Sequence, residues 1–414
     1  MRVHLLAGIT ALVVSGASHA DTAILGAVVH TMAGAIIVED SVILIADGHV
    51  EAVGSAIDVP AGYAVVDAAG KVVTPGLIVS NSQLGIVEIG GAATTVDSRV
   101  TEHPLGAAFD IRYALNDAAT AIAVNRRDGV TRAIVAPQPG NDPFAGWGVA
   151  IRLTDRDILT SVDVALFGAI GSATSGYVGG SRSAVVQRMR RGLAQAQRYQ
   201  ASRYHPGPGD FSHADMAALK RFRGAGVPLA LEVHRANEIR EAVALAEDFE
   251  LDLIVLGATE AWRVGELLAA RRIPVVIDVL ANLPSSFERL GARLDNAALL
   301  SQAGVQVVFT VADSQNARWL RQVAGNAVAN GMDHAAALEA ITRIPAQIWG
   351  LESGLGTLQP GAPADLVIWT GDPLEITQWA ERVMIDGEWQ DTNSRQTRLF
   401  ERYKDLSTGN FGYR

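Results

Sequence analysis

The side chains able to do chemistry are few and scattered. His234 closes an apolar run, Val227 to Val233. An imidazole there can bind a metal or move a proton, or serve as a hydrogen-bonded structural group. Asp313 follows a second apolar run, Val305 to Val311. Its carboxylate can act in a site or cap the next helix, since Ser314 and Gln315 follow. Arg235 and Arg318 carry guanidinium groups that can clamp a carboxylate through two parallel hydrogen bonds, or simply pack in solvent. Glu260 is read as the first turn of a helix, complementing its dipole. Two carboxamides, Asn81 and Gln83, end a third apolar run from Leu77. Amide oxygens are poor zinc ligands beside imidazole, thiolate or carboxylate.

Other reaction classes lack their motifs. There is no G-x-S-x-G elbow, no P-loop, and no dinucleotide fingerprint followed by an acidic residue. The chain has no cysteine, which removes disulfides, thiolate chemistry and a cysteine-linked lipid anchor. A formal charge of −10 disfavours nucleic acid and anionic membranes and fits a small-molecule or peptide-like ligand. Arg2, the apolar stretch Leu5 to Val14 and Ser18-His19-Ala20 have the layout of an export signal. We expect residues 1–20 to be removed after Ala20 and the protein to be periplasmic or secreted; the other reading of this stretch is a membrane anchor. It is short for a bilayer span.

Positioning these groups requires a repeated scaffold. Residues 21–72 read as short strands and turns, with Asp47-Gly48 a hairpin signal between Ser41–Ala46 and His49–Val53. The other end has the same texture: Ala364–Trp369, then Arg382–Ile385 before Asp386-Gly387. The middle alternates apolar strands with helices: Thr131–Ala136, Val227–Val233, Leu253–Leu256, Pro274–Val279 and Val305–Val311. Asn237, Thr259 and Asp333 are expected helix caps. Such alternation favours a (β/α)8 barrel over an open sheet. The stretches 101–112 and 168–183 break it, and are either covers of the barrel mouth or plain surface loops.

Several segments, in order, resemble the amidohydrolase superfamily, in its imidazolonepropionase-like and exported peptidase-like group. Val73 to Gly85 resembles the family's first strand, V-x-P-G-L-I-D-x-H-x-H. Gly129-Val130-Thr131, Ala136-Pro137, Gly146 to Ile151, His234 to Ile239, Gly257 to Ala261, Asn316-Ala317-Arg318 and Gly356 to Val367 are similar to later family segments. The resemblance implies an α/β fold: a TIM-type (β/α)8 barrel over residues 73–350, with a small β-sandwich from 21–72 and 351–398 and a tail at 399–414. It also implies one or two divalent metals at the barrel mouth. This chain departs from that set. The strand-one histidines fall on Asn81 and Gln83, and the preceding Asp on Val79. No lysine lies between Lys71 and Lys220, so a carboxylated strand-four lysine is excluded. The strand-six ligand falls on Gly257. His234 is retained at strand five, and Asp313 falls near the strand-eight position, in a register uncertain by one residue.

A stable zinc site normally takes three protein ligands. The expectation is therefore a degenerate metal site, with zinc disfavoured as cofactor. His234 and Asp313 are the retained catalytic or metal-binding candidates, and Asn81, Gln83, Gly257, Arg235 and Arg318 are the candidate pocket residues. Such a protein would bind a ligand, or act as a homodimer or as the non-catalytic partner of an intact paralogue. The alternatives are an active hydrolase of cyclic amides or dipeptides using a reduced or metal-free site, and a scaffold whose barrel mouth is filled.

Overall fold

The computed structural model describes residues 21–34, 37–103, 105–311, 316–393 and 395–404. Among these residues two eight-stranded sheets form. The first comes from both chain ends. It holds β1 (Thr22–His30), β2 (Ile37–Ala46), β3 (His49–Gly54), β4 (Ala64–Asp67), β5 (Val72–Pro75), β14 (Leu366–Trp369), β15 (Ala380–Ile385) and β16 (Glu388–Trp389). Asp47 and Gly48 both take positive φ, 48° and 78°, as a two-residue hairpin requires; Asp386 and Gly387 do the same at 50° and 79°. Antiparallel pairing of β5 with β14 joins the two ends, with Pro75 opposite Leu366.

The second sheet runs β6 (Leu77–Ser82), β7 (Val130–Val135), β8 (Phe144–Arg152), β9 (Leu159–Ala169), β10 (Leu229–Val233), β11 (Leu253–Gly257), β12 (Val275–Ile277) and β13 (Val307–Phe309) in chain order. It curls into a barrel. Thr310 donates its hydroxyl to the Ser80 carbonyl across the seam between β13 and β6. Strand alternation sorts the side chains. Leu229, Leu231 and Val233 of β10 pack outward, while Ala230 joins the barrel interior with Ile254, Leu256, Val276 and Val308. Trp349 stacks on Phe167 inside the barrel, ring centroids 5.6 Å apart, and donates to Ser80 Oγ at 2.8 Å.

The strand–helix alternation expected from the sequence is interrupted once. β8 is antiparallel to both neighbours. Residues 136–143 and 153–158 are too few for the dozen or so that a crossover between parallel strands needs. Elsewhere helices cover the barrel: α1 (Thr120–Arg127), α2 (Ser172–Ser175), α3 (Arg182–Arg198), α4 (His213–Ala225), α5 (Ala236–Asp248), α6 (Gly265–Ala270), α7 (Asn296–Gln302), α8 (Leu320–Ala329), α9 (His334–Glu339) and α10 (Arg343–Ile348). α11 (Arg395–Tyr403) follows the terminal sheet. Asp333 caps α9, accepting from Ala336 N at 3.0 Å. Asn237 caps nothing; α5 begins at Ala236, with Arg235 in the cap position. Thr259 is drawn off to a side-chain partner described below, and α6 begins only at Gly265. No described helix is long and apolar enough to cross a membrane. Residues 1–20 lie outside the described residues.

The two sheets are fastened by a buried guanidinium. Arg132 of β7 donates from Nε and Nη2 to the Asp365 carboxylate at 2.7 and 2.9 Å, and also reaches Asp386. Arg152 holds the other Asp386 oxygen at 3.0 Å. Burial works against the Arg132 charge, but Asp365 and Asp386 outweigh it, so the guanidinium is held more firmly protonated than usual. Beside this junction Gly129, at φ 90°, lies under the Trp369 ring; a Cβ there would sit 2.4 Å from Cη2. Replacing Arg132 by Ala strands the Asp365 carboxylate, only 2% exposed, without its charge partner. Urea unfolding of Arg132→Ala should show a loss of about 3–5 kcal/mol; a loss below about 1 kcal/mol would mean that the junction carries little stability.

Candidate functional site

At the C-terminal ends of the barrel strands lies a recess of about 260 Å³. Its floor and walls include Phe167, Leu256, Ile277 and Pro137, and its polar rim includes Asn81, Gln83, Gln138, Glu232, His234, Asp278 and Arg289. Parity puts several of these here. Glu232 shares the inward face of β10 with Ala230, and Asp278 follows β12 on the face of Val276. Asn81 reaches the recess through a left-handed backbone, φ 53°, which asparagine adopts at small cost.

His234 is committed to protein partners. Its Nδ1 lies 2.9 Å from Thr259 Oγ1 and its Nε2 3.2 Å from Glu232 Oε1. The hydrogen bond from His234 holds the Glu232 carboxyl below the usual glutamate range, so Glu232 is ionised. An ionised Glu232 selects the tautomer protonated on Nε2, leaving Nδ1 to accept from the Thr259 hydroxyl. Arg289 Nη2 stands 3.2 Å from the same Nε2 and 3.6 Å from Glu232 Oε1, placing a guanidinium charge beside that carboxylate.

The imidazole lies over Gly257. A Cβ on that glycine would sit 2.6 Å from His234 Cε1, and its φ of 76° disfavours any side chain. Ala258 is also left-handed, at φ 46°, and its N–H donates to Val233 O at 2.7 Å. This double turn draws the segment after β11 across the end of β10. Glu260, expected to serve its own helix, instead accepts from Ala236 N at the start of α5, at 3.0 Å.

The wall opposite is the segment between β12 and α7. Glu288 anchors it, accepting from Ser172 N and Oγ at 2.6 and 2.7 Å and from Arg182 Nε at 2.8 Å. Burial opposes its ionisation, but these donors win and keep its carboxyl below the ordinary range. Trp262 Nε1 holds Gly291 O at 3.1 Å. Arg293 is taken up by Asp295 in a bidentate pair and lies over the Trp262 ring.

Of the sequence candidates, Asn81, Gln83, His234 and Gly257 meet at this recess. Arg235 does not line it and donates to Phe287 O at 3.3 Å. Arg318 lies in a separate surface hollow with Asp128, Trp319 and Arg321. Asp313 falls outside the described residues. The 101–112 stretch is tied to the first turn of α4, where Gly106 N and Ala108 N donate to Asp215 at 3.0 Å. The 168–183 stretch supplies Gly168 to the recess and Ser172 to the Glu288 anchor. Glu232, Asp278 and Arg289 escaped the sequence reading. For two of them a signal was present: acids inside otherwise apolar runs, Leu229-Ala230-Leu231-Glu232-Val233 and Val275-Val276-Ile277-Asp278-Val279.

Among the described residues no group of three or more His, Asp or Glu is arranged to hold a metal ion. The nearest candidate set consists of two amides, a glycine without space for a ligand, and an imidazole whose two nitrogens are occupied.

Burial pushes the Asp278 carboxyl up, against bonds from Leu280 N and Ala281 N that favour its charge. A carboxyl with a raised folded-state value costs stability once the pH climbs through its unfolded value, and the cost persists at neutral pH. Asp278→Asn should therefore be more stable than the unaltered chain at pH 7, with the difference closing in acid. Thermal unfolding at several pH values reads this, and an equal or lower midpoint at pH 7 refutes it. Gly257→Ala should lose about 2 kcal/mol or more in urea unfolding, from overpacking against His234 and the positive φ.

A sequence model of the amidohydrolase family matches residues 181–390. Among solved structures, an amidohydrolase from Thermotoga maritima superposes with a TM-score of 0.81 at 24% identity, over 89% of this chain and 99% of that one. A molinate hydrolase gives 0.58 at 18% identity over 91% and 95% of the two chains. A triazine hydrolase from Arthobacter aurescens gives 0.56 at 17% over 92% and 97%. These likenesses establish the fold. The amidohydrolase tasK of Hapsidospora irregularis is 38% identical over 60 residues, 14% of this chain and only 6% of that protein's length.

Proposed function

The chain belongs to the amidohydrolase family, hydrolases acting on C–N bonds, and from that premise we propose that its barrel binds a small ligand without the family's metal centre. The observation that carries this reading is the packing of His234 over Gly257. A metal-binding imidazole must present a bare nitrogen lone pair to the ion. Here one nitrogen faces Glu232 and the other Thr259, and the ring fills the space a strand-six ligand would need. Asn81 and Gln83 contribute only amides. The site then serves a ligand-binding protein, or the non-catalytic member of a homodimer or of a heteromer with an intact relative. We also read the protein as exported, on the strength of Arg2, Leu5–Val14 and Ser18-His19-Ala20.

A second reading has its own support. Asp278 is a recessed carboxylate with a raised affinity for protons, a property shared by general bases. It could take a proton from water attacking an amide carbonyl and return it to the departing nitrogen. On this reading the protein is an active hydrolase of cyclic amides or dipeptides using a metal-free site, and Asp278→Asn abolishes turnover.

Elemental analysis of the protein, expressed with its leader and purified without chelators, separates intact from lost metal sites. We expect zinc, manganese and iron each well below one per chain, before and after incubation with added metal. Near-stoichiometric metal that survives dialysis overturns the proposal. The pair Asn81→His and Gln83→His should not restore tight zinc binding, because position 257 still offers no ligand.

A further inference from the structure

We propose that the recess takes a small organic cation, an amidinium or primary ammonium on a compact apolar body, with the Asp278 carboxylate as its anchor. The inference rests on the ligand-binding reading above and adds the class of ligand. Charge is the first argument. Among the described residues the titratable lining comprises Glu232, Asp278, His234, Arg289 and Arg293. Arg293 is neutralised by Asp295, and Glu232 is satisfied by His234 and Arg289. Asp278 is left over. Among the described residues no cation stands within ion-pair distance of it, and Arg289 acts on it only from further away.

A half-buried carboxylate without a charge partner carries a desolvation cost unless something repays it. Backbone donors at Leu280 and Ala281 repay part; a bound cation would repay the rest. An anionic ligand would instead meet two carboxylates and an arginine already committed to one of them.

The remaining lining fits the same ligand. An amidinium has N–H groups beyond the two that a carboxylate accepts, and the side-chain amides of Asn81 and Gln83, which line the same recess, each carry an acceptor oxygen. Neither amide has a side-chain partner among the described residues. Phe167, Leu256, Ile277 and Pro137 provide an apolar floor for a ring or short hydrocarbon.

The test is calorimetric titration of the full chain with benzamidine, benzyl alcohol and benzoate, which share a ring and differ in the charge of the substituent. Benzamidine should bind at least about tenfold more tightly than either of the others. Asp278→Asn should weaken benzamidine about tenfold or more and leave benzyl alcohol unchanged, while Asp278→Glu should retain part of the preference. In the unaltered protein, benzamidine binding should fade on acidification from a higher pH than an ordinary aspartate would set. Failure of benzamidine to bind, a preference for benzoate or benzyl alcohol, or full benzamidine affinity in a folded Asp278→Asn each overturns the proposal. Metal content measured on the same sample keeps this outcome separate: stoichiometric metal defeats the ligand-binder reading, whereas a wrong order of the three compounds defeats only the cation.

Discussion

One buried ion pair ties the two sheets of this chain together at their junction. The terminal sheet has a small apolar core of its own, while its Val367, Trp369, Val383 and Ile385 also pack into the main core with the barrel, and polar contacts cross the same junction. Arg132 crosses, and it does so from inside the barrel's second strand. Asp365 lies one residue before β14, and Asp386 lies in the turn between β15 and β16. The guanidinium thus joins the shared apolar packing in holding the C-terminal strands against the barrel, and through the pairing of β14 with β5 also the N-terminal strands.

The recess is built around the packing of His234 on Gly257. His234 stands where the resemblance places a ligand, yet it works as a brace. It ties Thr259, after β11, to Glu232, inside β10. The missing side chain at 257 makes this possible, since the ring lies where that side chain would project. The retained imidazole and the glycine at 257 therefore form one packing arrangement.

Much of the fold was legible in the residues. Short apolar strands, Asp-Gly turns and the matching texture of both ends reported local geometry directly. The antiparallel β8 was not legible, because an apolar strand reads alike in either direction and only the short connections on each side distinguish the two. Of the positions that the resemblance supplied, Asn81, Gln83, His234 and Gly257 line the recess. Arg235 and Arg318 were chosen for their chemistry alone, and their side chains are turned to Phe287 and to an outer hollow. Glu232 and Asp278 went unread although period-two alternation places both toward the lumen. An acid within an apolar strand points inward only if the strand's outward face is already known, and that depends on the helices packed outside.

The joining of the two ends in one sheet has a consequence for synthesis. β5 is complete early, but the strand that covers its edge begins at Leu366. At about 5–20 residues per second, that partner emerges on the order of tens of seconds later. Until then the N-terminal strands present an open β-edge, the kind of surface that recruits neighbouring chains. A nascent chain of this protein therefore needs shielding for most of its elongation, and a truncation that removes β14 leaves that edge open for good.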